Sequence, residues 1–146
     1  MSTIVDFLSN DHRVCDDLFA SVEAEVALNK WDSARSLFGQ FEQAMARHLA
    51  MEEDVLFPAF ESRTGMRDGP TEVMRMEHAQ MRDLLQEMAG AVAAGNQNGY
   101  LGLSETLNML MQQHNLKEEN MLYPMSDRVL AGERDSLIRE MEAHAS

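Results

Sequence analysis

The chain reads MARHLAMEEDVLFP over residues 45–58 and MQQHNLKEENMLYP over residues 111–124, so one motif recurs 66 positions later. The first methionine, the histidine, both glutamates, one leucine and the proline coincide in the two copies. Without any gap, the same offset also aligns Asp11-His12 with Glu77-His78. A repeat constrains a fold more than any single residue does. This repeat predicts that one helix pair occurs twice, over about 4–66 and 70–132.

Apolar residues recur at spacings of three and four along four long stretches, which is typical of amphipathic helices. The predicted helices run from about Ile4 to Leu28, from Asp32 or Ser33 to Pro58, from Pro70 to before Gly95 and from beyond Gly99 to before Pro124, with a short charged helix from about Glu133 to Ala143. Their inner faces include Val5, Phe19, Leu37, Phe41 and Met121. Helices with these short loops predict an all-α fold, an up-down-up-down antiparallel four-helix bundle with a short C-terminal helix.

Length and composition limit the classes of function. At 146 residues and 16.5 kDa, the chain has room for one compact domain, predicted as residues 1–146. Its 25 acidic and 12 basic residues give a formal charge of −13, which repels phosphate backbones and anionic headgroups. We therefore expect no nucleic-acid or membrane partner, and a monomer or small homo-oligomer. A single cysteine, with no signal peptide or long apolar run, predicts a cytoplasmic protein.

Six residues with lone pairs interrupt the apolar faces of these helices. They are His12, His48, Glu52, His78, His114 and Glu118. An unpaired buried polar group costs about 1–3 kcal/mol, so a cluster of six needs a partner. A histidine and a glutamate four residues apart lie on the same face of a helix. Because imidazoles and carboxylates together suit a buried divalent cation, the set predicts a metal site.

Two iron ions explain the six residues better than a hydrogen-bond network does. Two-metal sites hold their ions about 3.5–4 Å apart, a distance that one carboxylate spans. The predicted assignment gives His12 and His48 to one iron and His78 and His114 to the other, with Glu52 and Glu118 as bridges. Each ion would keep room for a bridging hydroxide and an external ligand. The alternative interpretation is a buried polar network that specifies how the helices pack.

The motifs resemble those of the hemerythrin-like (HHE cation-binding) domain family. They are Asp11-His12-Arg13, His48-x-x-x-Glu52-Glu53 with Phe57-Pro58, Glu77-His78, and His114-x-x-x-Glu118-Glu119 with Tyr123-Pro124. The resemblance extends from about Ile4 to Pro124. It implies a four-helix bundle with two iron ions, Fe2+ or Fe3+, joined by a bridging oxo or hydroxo group. Such a centre binds O2, or handles nitric oxide, peroxide or iron in bacterial relatives; zinc or manganese are possible substitutes.

Two departures from the oxygen-carrying hemerythrins bear on function. Carriers have two histidines four apart on the third helix, whereas Met74 and Arg82 stand four residues before and after His78. Carriers also bridge with an aspartate one position beyond Glu118, where this chain has Glu119. A metal with one imidazole fewer is more open and has a different redox potential. This favours sensing, scavenging or iron-centre maintenance over oxygen carriage.

The leading hypothesis is therefore a non-haem di-iron protein that binds O2 or NO, or reduces peroxide, at an open iron position. The alternative is a non-catalytic cation-binding module that stores, delivers or senses iron. The sequence leaves open whether the protein is an enzyme.

Other polar or sulfur-bearing residues near the motifs receive simpler predictions. Cys15 is predicted to be a small buried hydrophobe, with a redox role as the alternative. The methionines of the inner faces are predicted to fill the core, with a soft lining for a diatomic gas as the alternative. Tyr123 is predicted to pack in the core, with a phenol that donates a hydrogen bond to bound oxygen as the alternative.

The remaining acidic residues beside the motifs, and the last histidine, are predicted to face solvent. Glu53, Asp54 and Glu119 are expected to form a solvated face, with proton relay or cation guidance by the glutamates as the alternative. His144 lies outside the repeat and is expected to be exposed.

Overall fold

The computed structural model describes residues 2–144, which contain helices and turns and no strand. The helices are α1 (Ile4–Ala27), α2 (Trp31–Met51), α3 (Phe57–Thr64), α4 (Pro70–Ala94), α5 (Gln97–Lys117), α6 (Tyr123–Val129) and α7 (Arg134–Ala143). Two π-helical turns, π1 (Glu52–Leu56) and π2 (Glu118–Leu122), join α2 to α3 and α5 to α6 without a break. The all-α prediction is therefore confirmed.

The long helices form a closed ring of contacts. Helix α1 packs on α2 and α5, and α4 packs on the same two helices. Helix α6 packs on α1 and α3, and α7 lies against π1 and α1 at one end. This packing confirms a helical bundle. Over residues 2–144, no helix is long and apolar enough to cross a membrane.

Local chemistry explains where the helices start and stop. The Thr3 hydroxyl accepts a 3.0 Å hydrogen bond from the backbone N–H of Asp6 and caps α1. Pro70 stands in the first turn of α4, as predicted, because its missing N–H is not needed there. Gly95 ends α4 with a φ of 66°, a left-handed conformation that glycine adopts without strain. The carboxylate of Asp127 on α6 accepts a 2.8 Å hydrogen bond from the backbone N–H of Ile4 and so links α6 to the start of α1.

The predicted start of the second helix at Asp32 or Ser33 is one or two residues too late. The helix begins at Trp31, and Lys30 is the cap residue, with no side-chain hydrogen bond. The backbone carbonyl of Lys30 already accepts from Ala34 N–H at 2.9 Å, so the helical bonds start earlier. Asp32 lies in the first turn, where its negative charge interacts favourably with the helix dipole.

The prediction that Pro58 and Pro124 end their helices is also wrong. Each proline stands in the first turn of a further helix, α3 or α6. A proline inside an α-helix clashes with the carbonyl four residues earlier. Here a π turn precedes it, and Phe57 and Tyr123 donate their N–H groups to the carbonyls of residues 52 and 118, five positions back. This wider turn lets the helix continue past the proline.

Two apolar clusters flank the polar residues, one at each end of the bundle. Phe19 and Phe41 are buried as predicted, but Val5 and Leu37 are only half-buried, and Ile4 and Phe38 take the buried positions beside them. Met121, predicted inside, is 62% exposed, while Val55, its repeat equivalent, is 7% exposed. Helix α7 packs against π1 and covers that side, so the two copies differ at this position.

Candidate metal centre

The structure brings the six predicted residues together in the middle of the bundle. All of them are buried, and none is more than 4% exposed. Donor atoms of Glu52, His78, His114 and Glu118 lie within 4.8 Å of one another, as do donor atoms of His12, His48 and Glu118. We call the His12 and His48 side the first half and the His78 and His114 side the second half.

Each of the two glutamates lies between the halves. The Oε1 atom of Glu52 is 3.1 Å from Nε2 of His78 and 3.4 Å from Nε2 of His48. The Oε1 atom of Glu118 is 3.1 Å from Nε2 of His12 and 3.2 Å from Nε2 of His114. The glutamates thus occupy the positions that bridging carboxylates would need, since each faces one imidazole of each half.

A second set of carboxylates holds the outer nitrogen of every imidazole. A carboxylate only accepts, so each Nδ1–H is the donor. The bonds run from His12 to Glu119 at 2.6 Å, and from His48 to Asp11, His78 to Glu53 and His114 to Glu77 at 2.7 Å each. Carboxylates in this position fix the tautomer and orientation of a metal-binding histidine and raise its basicity.

The prediction that Glu53 and Glu119 form a solvated face is therefore wrong for both. Their side chains are 20% and 35% exposed, and one oxygen of each faces an imidazole of a neighbouring helix. The repeat aligns Glu53 with Glu119, which signalled a shared role, but sequence periodicity does not show which side chain across the bundle a carboxylate reaches. Asp54 is exposed, as predicted.

The arrangement leaves buried donor atoms without a partner. When Nδ1–H of a neutral imidazole donates a hydrogen bond to a carboxylate, the other ring nitrogen, Nε2, carries a lone pair that faces the centre of the cluster. The atoms that make no hydrogen bond are Nε2 of His48, His78 and His114, Oε1 of Glu52 and Oε2 of Glu118. Lone pairs that face one another at these distances repel, so the cluster needs a cation, either protons or metal. The donor set therefore fits a buried divalent cation.

The pKa values in the cluster are shifted so that histidines favour their protonated, positively charged form. Burial lowers the pKa of His78, but the adjacent carboxylates of Glu52 and Glu53 outweigh it and raise the pKa to about 9. Burial likewise opposes the charged form of His48, and the carboxylate of Glu52 nevertheless raises its pKa well above the ordinary value. The pKa of Glu52 is held well below its usual range, against burial, by His48. Protons therefore occupy the centre when no metal is bound.

The metal-free protein is expected to lose stability as the pH rises. The pKa of His78 is about 9 in the folded protein against 6.5 ordinarily, so its contribution is complete below pH 6.5 and is lost through pH 9. A shift of this size corresponds to about 3 kcal/mol. Urea unfolding of the chelated protein between about pH 6 and pH 9.5 measures it. Metal-loaded protein is the control, and equal stability of the chelated protein across this range would contradict the expectation.

Tyr123 points into the site, a direction that the sequence prediction missed. It is fully buried, as predicted, but its hydroxyl donates to Oε2 of Glu52 at 2.7 Å. The hydroxyl oxygen of Tyr123 also lies 3.0 Å from Oε1 of Glu118 and 3.1 Å from Nε2 of His12. Burial and the two glutamates raise the pKa of Tyr123 well above 10, so the phenol keeps its proton. The hydroxyl thus lies beside the clustered donors, and the alternative, a hydrogen bond from this phenol to bound oxygen, stays a prediction.

A layer of sulfur-bearing side chains closes the other side of the site. Cys15, Met45, Met81 and Met111 are all buried and line a cavity of about 10 Å³ that also touches His12, His48 and His114. Burial raises the pKa of Cys15 to about 11, so the thiol stays protonated. Cys15 is thus the small buried hydrophobe that was predicted.

His144 is not fully exposed as predicted. Its side chain is 26% exposed, and its Nε2 lies 3.0 Å from Oδ2 of Asp54. This contact places the end of α7 beside π1.

Comparison with known proteins adds a family to this geometry. The sequence model of the hemerythrin HHE cation binding domain matches residues 3–126. The chain is 28% identical over 134 residues to an uncharacterized hemerythrin-like protein of Schizosaccharomyces pombe, covering 91% of this chain and 64% of that protein. It is 32% identical over 121 residues to the iron-sulfur cluster repair protein YtfE of Edwardsiella ictaluri, covering 73% of this chain and 54% of that one.

The chain thus spans less than two thirds of the length of either relative. No solved structure matches. The family match covers most of the chain and includes all six of the clustered histidines and glutamates, so this chain belongs to the hemerythrin HHE cation-binding domain family.

Proposed function

We propose that this protein holds two iron ions and binds O2 or NO, or handles peroxide, at an open iron position. His12 and His48 would hold one ion and His78 and His114 the other, with Glu52 and Glu118 as bridges. The observation that carries the proposal is the set of buried donor atoms without partners, which share one small space between the helices. An iron pair supplies reversible redox change and an exchangeable coordination position.

The surrounding residues support a small ligand. The cavity beside His12, His48 and His114 measures about 10 Å³, which is room for about one water-sized molecule. The thioethers of Met45, Met81 and Met111 form an apolar part of its lining, which suits a diatomic gas. On the opposite side, the protonated phenol of Tyr123 holds a proton at the carboxylates. One relative carries the name of an iron-sulfur cluster repair protein, which supports iron as the metal.

A second candidate is a non-catalytic module that senses, stores or delivers iron, with zinc or manganese as possible occupants. The burial of all six donors favours storage among these roles, because a cation held by side chains no more than 4% exposed exchanges slowly. We further propose that the helices run up-down-up-down. The connections at 28–30 and 95–96 are short and join helices that pack on each other. The connection at 65–69 leads from α3, which continues α2, to α4, which packs on α2.

Metal analysis and optical spectra test the proposal. We expect two iron ions per chain in protein purified from its own host. The oxidised protein should show near-ultraviolet charge-transfer bands that shift with azide, and the reduced protein should change its spectrum with O2 or NO. Bound iron without a response to any of the three ligands would favour the second candidate. A colourless protein loaded with zinc would contradict the di-iron function.

A further inference from the structure

We propose that the two halves of the centre carry unequal charge, and that the first half takes the first divalent cation. Arg82 and Lys117 act as positioning residues, because they work through the carboxylates that hold the imidazoles of the second half. This inference rests on the proposed function, since it needs two metal positions. It adds an order of filling, which the family match does not provide.

The hydrogen bonds to the imidazoles are the same in both halves. Asp11 and Glu77, which the repeat aligns, hold His48 and His114 at 2.7 Å. Glu53 and Glu119, also aligned, hold the other two imidazoles at 2.7 Å and 2.6 Å. Geometry at Nδ1 therefore does not distinguish the halves.

Cations neutralise the supporting carboxylates of the second half. The guanidinium of Arg82 donates through both terminal nitrogens to Glu53, at 2.9 Å and 2.8 Å. The ammonium of Lys117 donates to the free oxygen of Glu77. The two carboxylates behind the second half are thus balanced by two positive charges.

The first half has no such balance. Within residues 2–144, neither Asp11 nor Glu119 forms an ion pair with a lysine or arginine. The residue that the repeat aligns with Arg82 is Asp16, whose charge is of the opposite sign. Asp16 is half-buried and lines the same cavity as His12. The two copies of the repeat therefore share the histidines and glutamates of the cluster but differ in the charge of the residues around them.

The difference in charge sets the order of filling. A supporting carboxylate that is shared with a guanidinium or ammonium passes less negative charge to its imidazole, which then donates more weakly to a cation. Changes to supporting residues alter metal affinity by about 10-fold to 100-fold. We therefore expect two stepwise dissociation constants that differ by at least about 10-fold, with the tighter one belonging to the first half.

Titration of the metal-free full chain with Co2+ measures both the constants and the order. Calorimetry gives the two constants. Proton-nitrogen NMR gives the order of filling. Each of the four Nδ1–H groups is hydrogen-bonded to a carboxylate, and its signal reports on the half of the centre to which that histidine belongs. At half-loading, bound Co2+ should give contact-shifted Nδ1–H signals of His12 and His48 before those of His78 and His114, because this shift passes through the bonds of an imidazole that holds the ion.

The repeat supplies a matched pair of variants. Asp16→Arg places an arginine where the other copy has Arg82, and should weaken only the first step. Arg82→Asp makes the opposite exchange and should strengthen the second step. The double variant should reverse the order. As a control, Asp17→Arg makes the same charge change at an exposed position next to Asp16 and should leave the ratio of the two dissociation constants unchanged. If Asp16→Arg disturbs folding, Asp16→Asn replaces it in this comparison.

Equal stepwise constants in the unaltered chain, or an earlier contact shift of the second-half signals, would overturn the inference while two bound ions still supported the proposed function. The same holds if Asp17→Arg alters the ratio as much as Asp16→Arg does, because net charge alone would then explain it. Failure to bind Co2+, Fe2+ or Mn2+ at all would overturn both.

Discussion

Replacing Glu118 with alanine is expected to empty both halves of the centre. Its Oε1 atom lies 3.1 Å from Nε2 of His12 and 3.2 Å from Nε2 of His114, and it belongs to both groups of donor atoms. Loss of a supporting residue already weakens metal binding by about 10-fold to 100-fold. Loss of a shared donor should exceed about 100-fold and leave less than one ion per chain after dialysis. Metal analysis after dialysis against a fixed free metal concentration measures this.

Two variants control for charge and for folding. Glu105→Ala removes an exposed carboxylate from α5, the helix that continues into π2, and should keep full metal content. Glu118→Gln keeps the size of the side chain and its carbonyl oxygen but removes the charge, so an intermediate loss is expected. Helix content by circular dichroism shows whether each variant is folded. If Glu118→Ala bound two ions as tightly as the unaltered chain, Glu118 would not be a shared ligand.

The repeat carried most of what the sequence could predict about the centre. An offset of 66 aligned two histidine pairs and two glutamates, and the structure places all six in one buried cluster. Helical spacing of three and four was enough to put them on inner faces, because the segments before Glu52 and Glu118 are regular α-helix. Their role as metal ligands remains a proposal.

Beyond the start of each π turn, the α-helical period no longer predicts the direction of a side chain. Both begin at a proposed bridging glutamate, and each adds a residue to the turn that follows. Tyr123 lies immediately after π2, so counting by 3.6 residues from Glu118 could not give its direction. The same turns carry the chain past Pro58 and Pro124, residues that the sequence alone identified as helix ends.

The carboxylates at the outer nitrogens were hidden for a different reason. Each reaches across to an imidazole on another helix, as Asp11 on α1 reaches His48 on α2. Such pairs depend on how the helices pack, which spacing within one helix does not encode. The alignment of Asp11 with Glu77 was visible, but it showed only that both copies kept an acid there.

Removing the metal is expected to lower the melting temperature substantially. A ligand that binds only the folded state stabilises it by about 2.7 kcal/mol when free ligand is about 100 times the dissociation constant. In a chain of this length, that corresponds to about 8 °C for each ion. Differential scanning calorimetry before and after dialysis against a chelator measures the change.

The loss should depend on pH, because protons replace the metal in the emptied centre. The pKa of His78 is raised to about 9, so at neutral pH the chelated protein regains part of its stability by protonation. The difference between loaded and chelated protein should therefore be larger at about pH 9 than at about pH 6.5. Glu118→Ala, which is expected to bind little metal, separates this effect from any action of the chelator on the rest of the chain, since its melting temperature should hardly change. Protein shown to be fully loaded at the start, yet melting at the same temperature after chelation, would mean that the buried donors are satisfied without a cation.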